Sequence, residues 1–214
     1  MPLTLDDKLI AIGIRIAVAG GSRVAVRGGP ETDIERTLLE GARRIPEDGR
    51  LASLLFTWVK VHGAYVVVEK LGRLARTDEP AWLRALAAWA VECGHRKWGK
   101  LARRSRDTIH LFPKEVTESA IALKGAVPWL ARINVRVPEG ALRIRESDVL
   151  SPAELIQRNR QYRNRYLYGP SWRADIITAI EEGLKTPAEI ARQLGCSYEP
   201  AHRVVREISL ARNG

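Results

Sequence analysis

The residues best equipped for chemistry lie near the end of the chain. Ser197, Tyr198, His202, Arg203 and Arg206 follow a spacing that puts them along the outer side of one helix, and each carries a hydrogen-bonding group. An arginine on such a side can donate two parallel bonds to guanine O6 and N7, or to a phosphate. Ala201, Val204, Val205 and Ile208 fall on the opposite side, where a small core would need them. Glu199 is read as an acid favoured by the positive end of the helix dipole. Thr186 adds a polar group at the start of the preceding helix, where Thr186-Pro187-Ala188-Glu189 reads as a capping box.

A second basic element precedes these residues. Arg158, Arg160, Arg163 and Arg165 occur within eight residues with no acid among them, a composition suited to phosphate contacts. Continuous helical spacing would place Arg158, Gln161, Tyr162 and Arg165 along one side. A third element, His95 to Arg106, puts Arg96, Lys100, Arg103 and Arg104 opposite Trp98, Leu101 and Ala102. That pattern also describes an ordinary solvated helix.

Enzymatic signatures are missing. His62, His95, His110 and His202 lack zinc-protease spacing, and no GxSxG, P-loop or GxGxxG occurs. Cys93 and His95 have no second ligand pair to complete a zinc site. Asp6-Asp7 and Glu181-Glu182 sit at helix ends, where dipole or solvent accounts for them. We therefore expect no catalytic residue, no metal and no cofactor.

Charge supports an anionic partner. The 214 residues carry 35 Lys+Arg against 25 Asp+Glu, a net charge of +10, and 27 of the cations are arginine. The chain is long enough to bury a core without disulfide or metal staples. Two widely separated cysteines fit a reducing cytoplasm. Acids before the first apolar run argue against a signal peptide, and no uncharged run is long enough for a membrane span.

The elements that must position these residues are mostly helices. Thr4 is a first N-cap, with a helix continuing to about Gly20-Gly21, followed by a short strand at Ser22–Arg27. Helices are expected over Asp33–Ile45, Arg50–Leu74, Pro80–Cys93, His95–Ser105 and Pro113–Lys124. Between 132 and 145 the alternation around Pro138-Glu139-Gly140 reads as a β-hairpin. It would turn Ile133, Val135, Val137, Leu142 and Ile144 one way and Arg132, Arg136, Arg143 and Arg145 the other. Ser151-Pro152-Ala153-Glu154 is a capping box opening a helix to about Leu167. Three helices follow: Trp172–Glu182, Thr186–Leu194 and Ser197–Ala211.

The stretch TPAEIARQLGCSYEPAHRVVREISL resembles the helix-turn-helix of bacterial transcription regulators, through Ile190, Ala191, Leu194, Gly195, Ser197, Ala201, Val205 and Ile208. The resemblance covers about a fifth of the chain. It implies that the last helix enters the major groove of duplex DNA, led by its N-terminal residues. Winged relatives follow that helix with a hairpin. None follows here before Gly214, so either there is no wing or the Arg-faced hairpin at 132–145 packs in from upstream and acts as one.

The expected organisation is mainly α: a helical dimerisation or partner-binding domain at 1–130, a β-hairpin connector at 131–147, and a helix-turn-helix DNA-binding domain at 148–214. The expected function is a sequence-specific, homodimeric transcription repressor, in one form an autoregulating antitoxin. The expected DNA contacts are Ser197, Tyr198, His202, Arg203, Arg206, Thr186, Arg158, Arg160, Arg163 and Arg165. A nucleic-acid-processing, mobile-element or defence protein, merely delivered to DNA by its helix-turn-helix, is the alternative. Clustered carboxylates in a cleft would mark it.

Overall fold

A computed structural model describes residues 3–16, 32–76, 80–103 and 107–213. The expected strand at Ser22–Arg27 lies outside the described residues. The fold is mainly helical, with twelve α-helices among the described residues. They are α1 (Leu5–Ala11), α2 (Ile34–Arg44), α3 (Arg50–His62), α4 (Val68–Leu74), α5 (Ala81–Glu92) and α6 (Lys114–Lys124). Next come α7 (Pro128–Ala131), α8 (Pro152–Arg158), α9 (Arg160–Tyr168), α10 (Trp172–Glu181), α11 (Pro187–Leu194) and α12 (Tyr198–Asn213). No helix among the described residues is long and apolar enough to cross a membrane.

Two cores form. The larger gathers α1–α5 around Leu38, Leu55, Phe56, Trp58, Trp82 and Leu86, and extends to Leu150, Leu155 and Tyr162. The smaller is built from α10–α12 through Ile176, Ile177, Ala179, Ile190, Ala191, Ala201 and Val204. Helices α8 and α9 thus contribute to the larger core.

Local chemistry set several boundaries as expected. Thr4 and Asp7 form a reciprocal capping box, as do Ser151 and Glu154. Asp33 caps α2 by accepting from the Arg36 N–H. Helix α1, however, stops at Ala11, well before Gly20: Gly13 takes φ +96°, and the chain leaves to pair Ile14 with Val149. The apolar run Arg50–Leu74 is interrupted by a 3-10 turn at Gly63–Tyr65, by extended Val66 and by non-helical Val67. The expected helix at His95–Ser105 is not α-helical over its described residues, and Arg104 and Ser105 lie outside them. Arg96–Lys100 is a 3-10 segment anchored by buried Trp98, whose Nε1 donates to the Gly63 carbonyl at 3.0 Å. At three residues per turn Arg96 and Lys100 no longer share the line that α-helical spacing would give them.

The hairpin is also corrected. Its turn exists: Ala141 N–H bonds the Pro138 carbonyl and Gly140 has φ +75°. Its two limbs do not pair with each other. Val135–Arg136 (β2) runs parallel to Ile109–His110 (β1), with Ile109 opposite Val135. The return limb lies along α3, where Arg143 N–H donates to Ser53 Oγ and Arg145 N–H to Thr57 Oγ1. Four helical residues rise about 6 Å, and two extended residues advance about 6.6 Å, so the two spacings match. Ile133, Val135, Val137, Leu142 and Ile144 all pack on the larger core, so the segment is no wing on the three-helix unit.

Candidate nucleic-acid interface

The three-helix unit is fixed by its turns. Thr186 Oγ1 accepts the Glu189 N–H at 3.3 Å and caps α11, without the reciprocal bond of a full capping box. Gly195 ends α11 at φ +69° and ψ +26°. A Cβ there would meet nothing within 4 Å, so the left-handed backbone, rather than space, calls for glycine. Its carbonyl accepts from Arg73 Nη1 at 2.8 Å, so a residue of α4 holds the turn from outside. The Arg73 guanidinium also stands 5.2 Å from the Trp172 ring centroid.

That turn presents α12 with Ala201 and Val204 buried and Ser197, Tyr198, His202, Arg203 and Arg206 exposed. Tyr198 and His202 stack on each other, with centroids 5.7 Å apart. Arg203 reaches Glu199 only at 3.9 Å, and both side chains are well exposed. Arg206 makes no ion pair with any described residue. This face is polar and largely uncommitted, and it matches the spacing read from sequence. Thr186 is exposed; its oxygen accepts in the cap, which leaves its O–H able to donate.

The Arg158–Arg165 element behaves otherwise. The expected continuous helix breaks at Asn159, whose extended backbone separates α8 from α9. Buried Asn159 caps α9 by accepting from the Tyr162 N–H and donates to the Ala11 carbonyl. Arg158 remains exposed. Arg160 donates to the Glu181 carbonyl, and Arg163 pairs with the Glu181 carboxylate at 3.1 Å, so both are tied to the end of α10. Arg165 is fully buried and is not a phosphate contact. Its neighbour Tyr162 is buried as well, with its hydroxyl 2.9 Å from His62 Nδ1.

Arg165 belongs to a charge network joining the two cores. Its guanidinium binds both oxygens of Glu35, at 2.6 and 2.7 Å, and both of Asp175, each at 2.8 Å. A further bond reaches the Tyr65 carbonyl at 3.1 Å. Lys70 Nζ lies 2.6 Å from Asp175 and 3.3 Å from Glu35, and also pairs with Asp33. Gln161 donates to Asp33 as well. Burial alone would lower the Lys70 pKa, but Glu35, Asp175 and Asp33 outweigh it and raise it. Burial would raise Asp175, yet Arg165 and Lys70 hold its carboxyl below the usual range.

Asp33, Glu35 and Asp175 bring ligand atoms within 4.8 Å of one another, a separation that could suit a metal ion. Here Lys70 and Arg165 engage those oxygens. The group therefore reads as an ionic joint between α2, α4, α9 and α10, a role no local sequence signal announced. The i, i+3 pairing of Tyr162 with Arg165 was the one hint that this face of α9 turns inward.

No family model matches the chain, and neither does any curated protein or solved structure.

Proposed function

We propose that the chain is a sequence-specific duplex-DNA-binding protein, acting in the cytoplasm as a transcription repressor. The observation that carries this reading is the uncommitted face of α12: exposed Tyr198, His202, Arg203 and Arg206 on a helix held by a tight left-handed turn. In this reading α12 enters the major groove, Arg203 and Arg206 read base edges, and Ser197 and Thr186 approach phosphates. Arg158 adds a phosphate contact, with Arg160 and Arg163 contributing where their bonds to Glu181 can be exchanged. A homodimer formed through the larger core would place two α12 helices on half-sites about 34 Å apart. Autoregulation as an antitoxin is one form this role could take, with the larger core also receiving a protein partner.

The nucleic-acid-processing alternative draws on converging carboxylates. Asp33, Glu35 and Asp175 converge, but their oxygens engage Lys70 and Arg165, which favours a structural role. The reading therefore assigns no catalytic residue.

The test is fluorescence anisotropy against a site selected from a genomic fragment pool and against random duplex. Affinity should fall steeply with salt as phosphate-bound counterions are displaced. Arg203→Ala should remove about 1–3 kcal/mol of preference for the selected site. The melting temperature should stay near that of the parent, because Arg203 is exposed. Retained preference in Arg203→Ala, or affinity insensitive to salt, would overturn the proposal.

A further inference from the structure

Arg143 and Arg145 are exposed but not scattered. Leu142 and Ile144 pack on the larger core, so the alternate residues 143 and 145 stand on the other side of the limb. Their backbone N–H groups are fixed to Ser53 and Thr57 of α3, while their guanidinium groups make no bond with any described residue.

These two arginines form one wall of a half-open cleft of about 330 Å³. Arg15 and Arg50 supply two more cations, Asp148 is the one acid on its described lining, and Ile16 and Leu54 give it an apolar floor. The walls are pinned. Arg15 N–H donates to the Asp148 carbonyl at 2.8 Å, and Leu150 N–H to Gly13 at 2.7 Å, which holds the segment after α1 against residues 148–150. Arg50 opens α3, so the positive end of that helix dipole faces the same region. The existing pairs are weak competitors: Arg15 meets Glu154 at 3.1 Å and Arg50 meets Asp48 at 3.4 Å, all with exposed side chains.

Four arginines on the lining against its one carboxylate, with only exposed pairs to Glu154 and Asp48 beside them, select a multiply charged anion, and a guanidinium fork matches phosphate oxygens. The volume lies at the lower end of small-molecule sites, too large for inorganic phosphate alone. The apolar floor would be wasted on a bare anion. We propose that this cleft binds a phosphorylated small molecule of the nucleotide class, its phosphates between Arg143, Arg145, Arg15 and Arg50 and its flat body against Ile16 and Leu54. Such a site is separate from the α12 face and does not depend on the DNA-binding reading.

The experiment is isothermal titration of the full chain with ADP, adenosine, inorganic phosphate and a short random duplex, at low salt. ADP should bind, phosphate should compete with it, and adenosine should bind far more weakly. The double variant Arg143→Ala/Arg145→Ala should lose ADP affinity by at least about ten-fold. Its melting temperature without ligand should stay unchanged, because the backbone contacts to α3 remain. Arg132→Ala, an exposed arginine outside the cleft, should bind ADP like the parent. Undiminished ADP binding by the double variant would overturn the proposal, as would adenosine binding as well as ADP, or no binding of ADP at millimolar concentration. If the parent ignores ADP while the double variant loses duplex affinity with a shallower salt slope, the arginines serve a nucleic-acid backbone. That result also overturns the small-molecule site and leaves the α12 proposal to its own test.

Discussion

Replacing Arg165 with alanine is the sharpest perturbation of the joint between the two cores. The fully buried guanidinium makes four bonds to Glu35 and Asp175 and one to the Tyr65 carbonyl. Without it, three buried or nearly buried carboxylates share one cation, Lys70, and the network's formal charge goes from −1 to −2. Breaking a buried pair by removing one partner costs about 3–5 kcal/mol, because the charges left behind have lost their compensation. With a urea dependence of about 2 kcal/mol per molar, the unfolding midpoint should fall by roughly 2 M. Arg163→Ala removes an exposed pair to Glu181 and should cost at most about 1 kcal/mol. Restoring the charge balance with Arg165→Met/Glu35→Gln should make the double variant less unstable than the sum of its single changes. The assay is urea unfolding followed by circular dichroism and tryptophan fluorescence. An Arg165→Ala protein within 1 kcal/mol of the parent would refute the reasoning and return Arg165 to the pool of surface cations.

Two other outcomes are expected. His62 is fully buried, and Nε2 faces the Leu150 carbonyl at 2.9 Å, so Nε2 carries the proton and Nδ1 accepts from Tyr162. Burial depresses its pKa to about 4, against the upward pull of the Leu150 bond. The unfolded chain therefore binds the extra proton first, and the stability present above pH 6.5 drains away as pH falls toward 4. The total is about 3 kcal/mol. Unfolding of the parent and of His62→Gln at pH 7 and 4.5 checks this, and parallel losses in the two would contradict it. Gly195→Ala forces a left-handed alanine at φ +69° in open space, so strain alone should destabilise by about 1–2 kcal/mol. An unchanged urea midpoint would show that the turn relaxes without penalty.

Helix ends were legible in the sequence because their chemistry is local. Thr4, Ser151 and Thr186 cap through partners three residues away, and Gly195 needs only its own backbone. The face of α12 followed from the same short-range logic. The alternation around 133–145 correctly marked which residues pack on the larger core, Val135 and Val137 buried and Ile133, Leu142 and Ile144 partly so. Period two says nothing about which chain pairs, however, and here one limb joined Ile109–His110 and the other the hydroxyls of α3. The break at Asn159 was invisible because asparagine is rewarded there by the Ala11 carbonyl, 148 residues away. Arg165 looked like its basic neighbours for a similar reason. Its partner Glu35 lies 130 residues earlier, and nothing near Arg165 in the sequence names it.

The ionic joint also sets an order of events during synthesis. Lys70 and Asp175 are separated by 105 residues, and Glu35 and Arg165 by 130. At about 5–20 residues per second, the ribosome delivers Asp175 roughly 5–20 s after Lys70. Through that interval Asp33, Glu35 and Lys70 stand hydrated on the nascent chain, without the guanidinium and carboxylate that later complete the network. Burying those charges before their partners exist would cost the desolvation that only the complete network offsets. Only when α9 and α10 arrive can the water leave, so seating α10–α12 against the larger core closes the sequence of assembly.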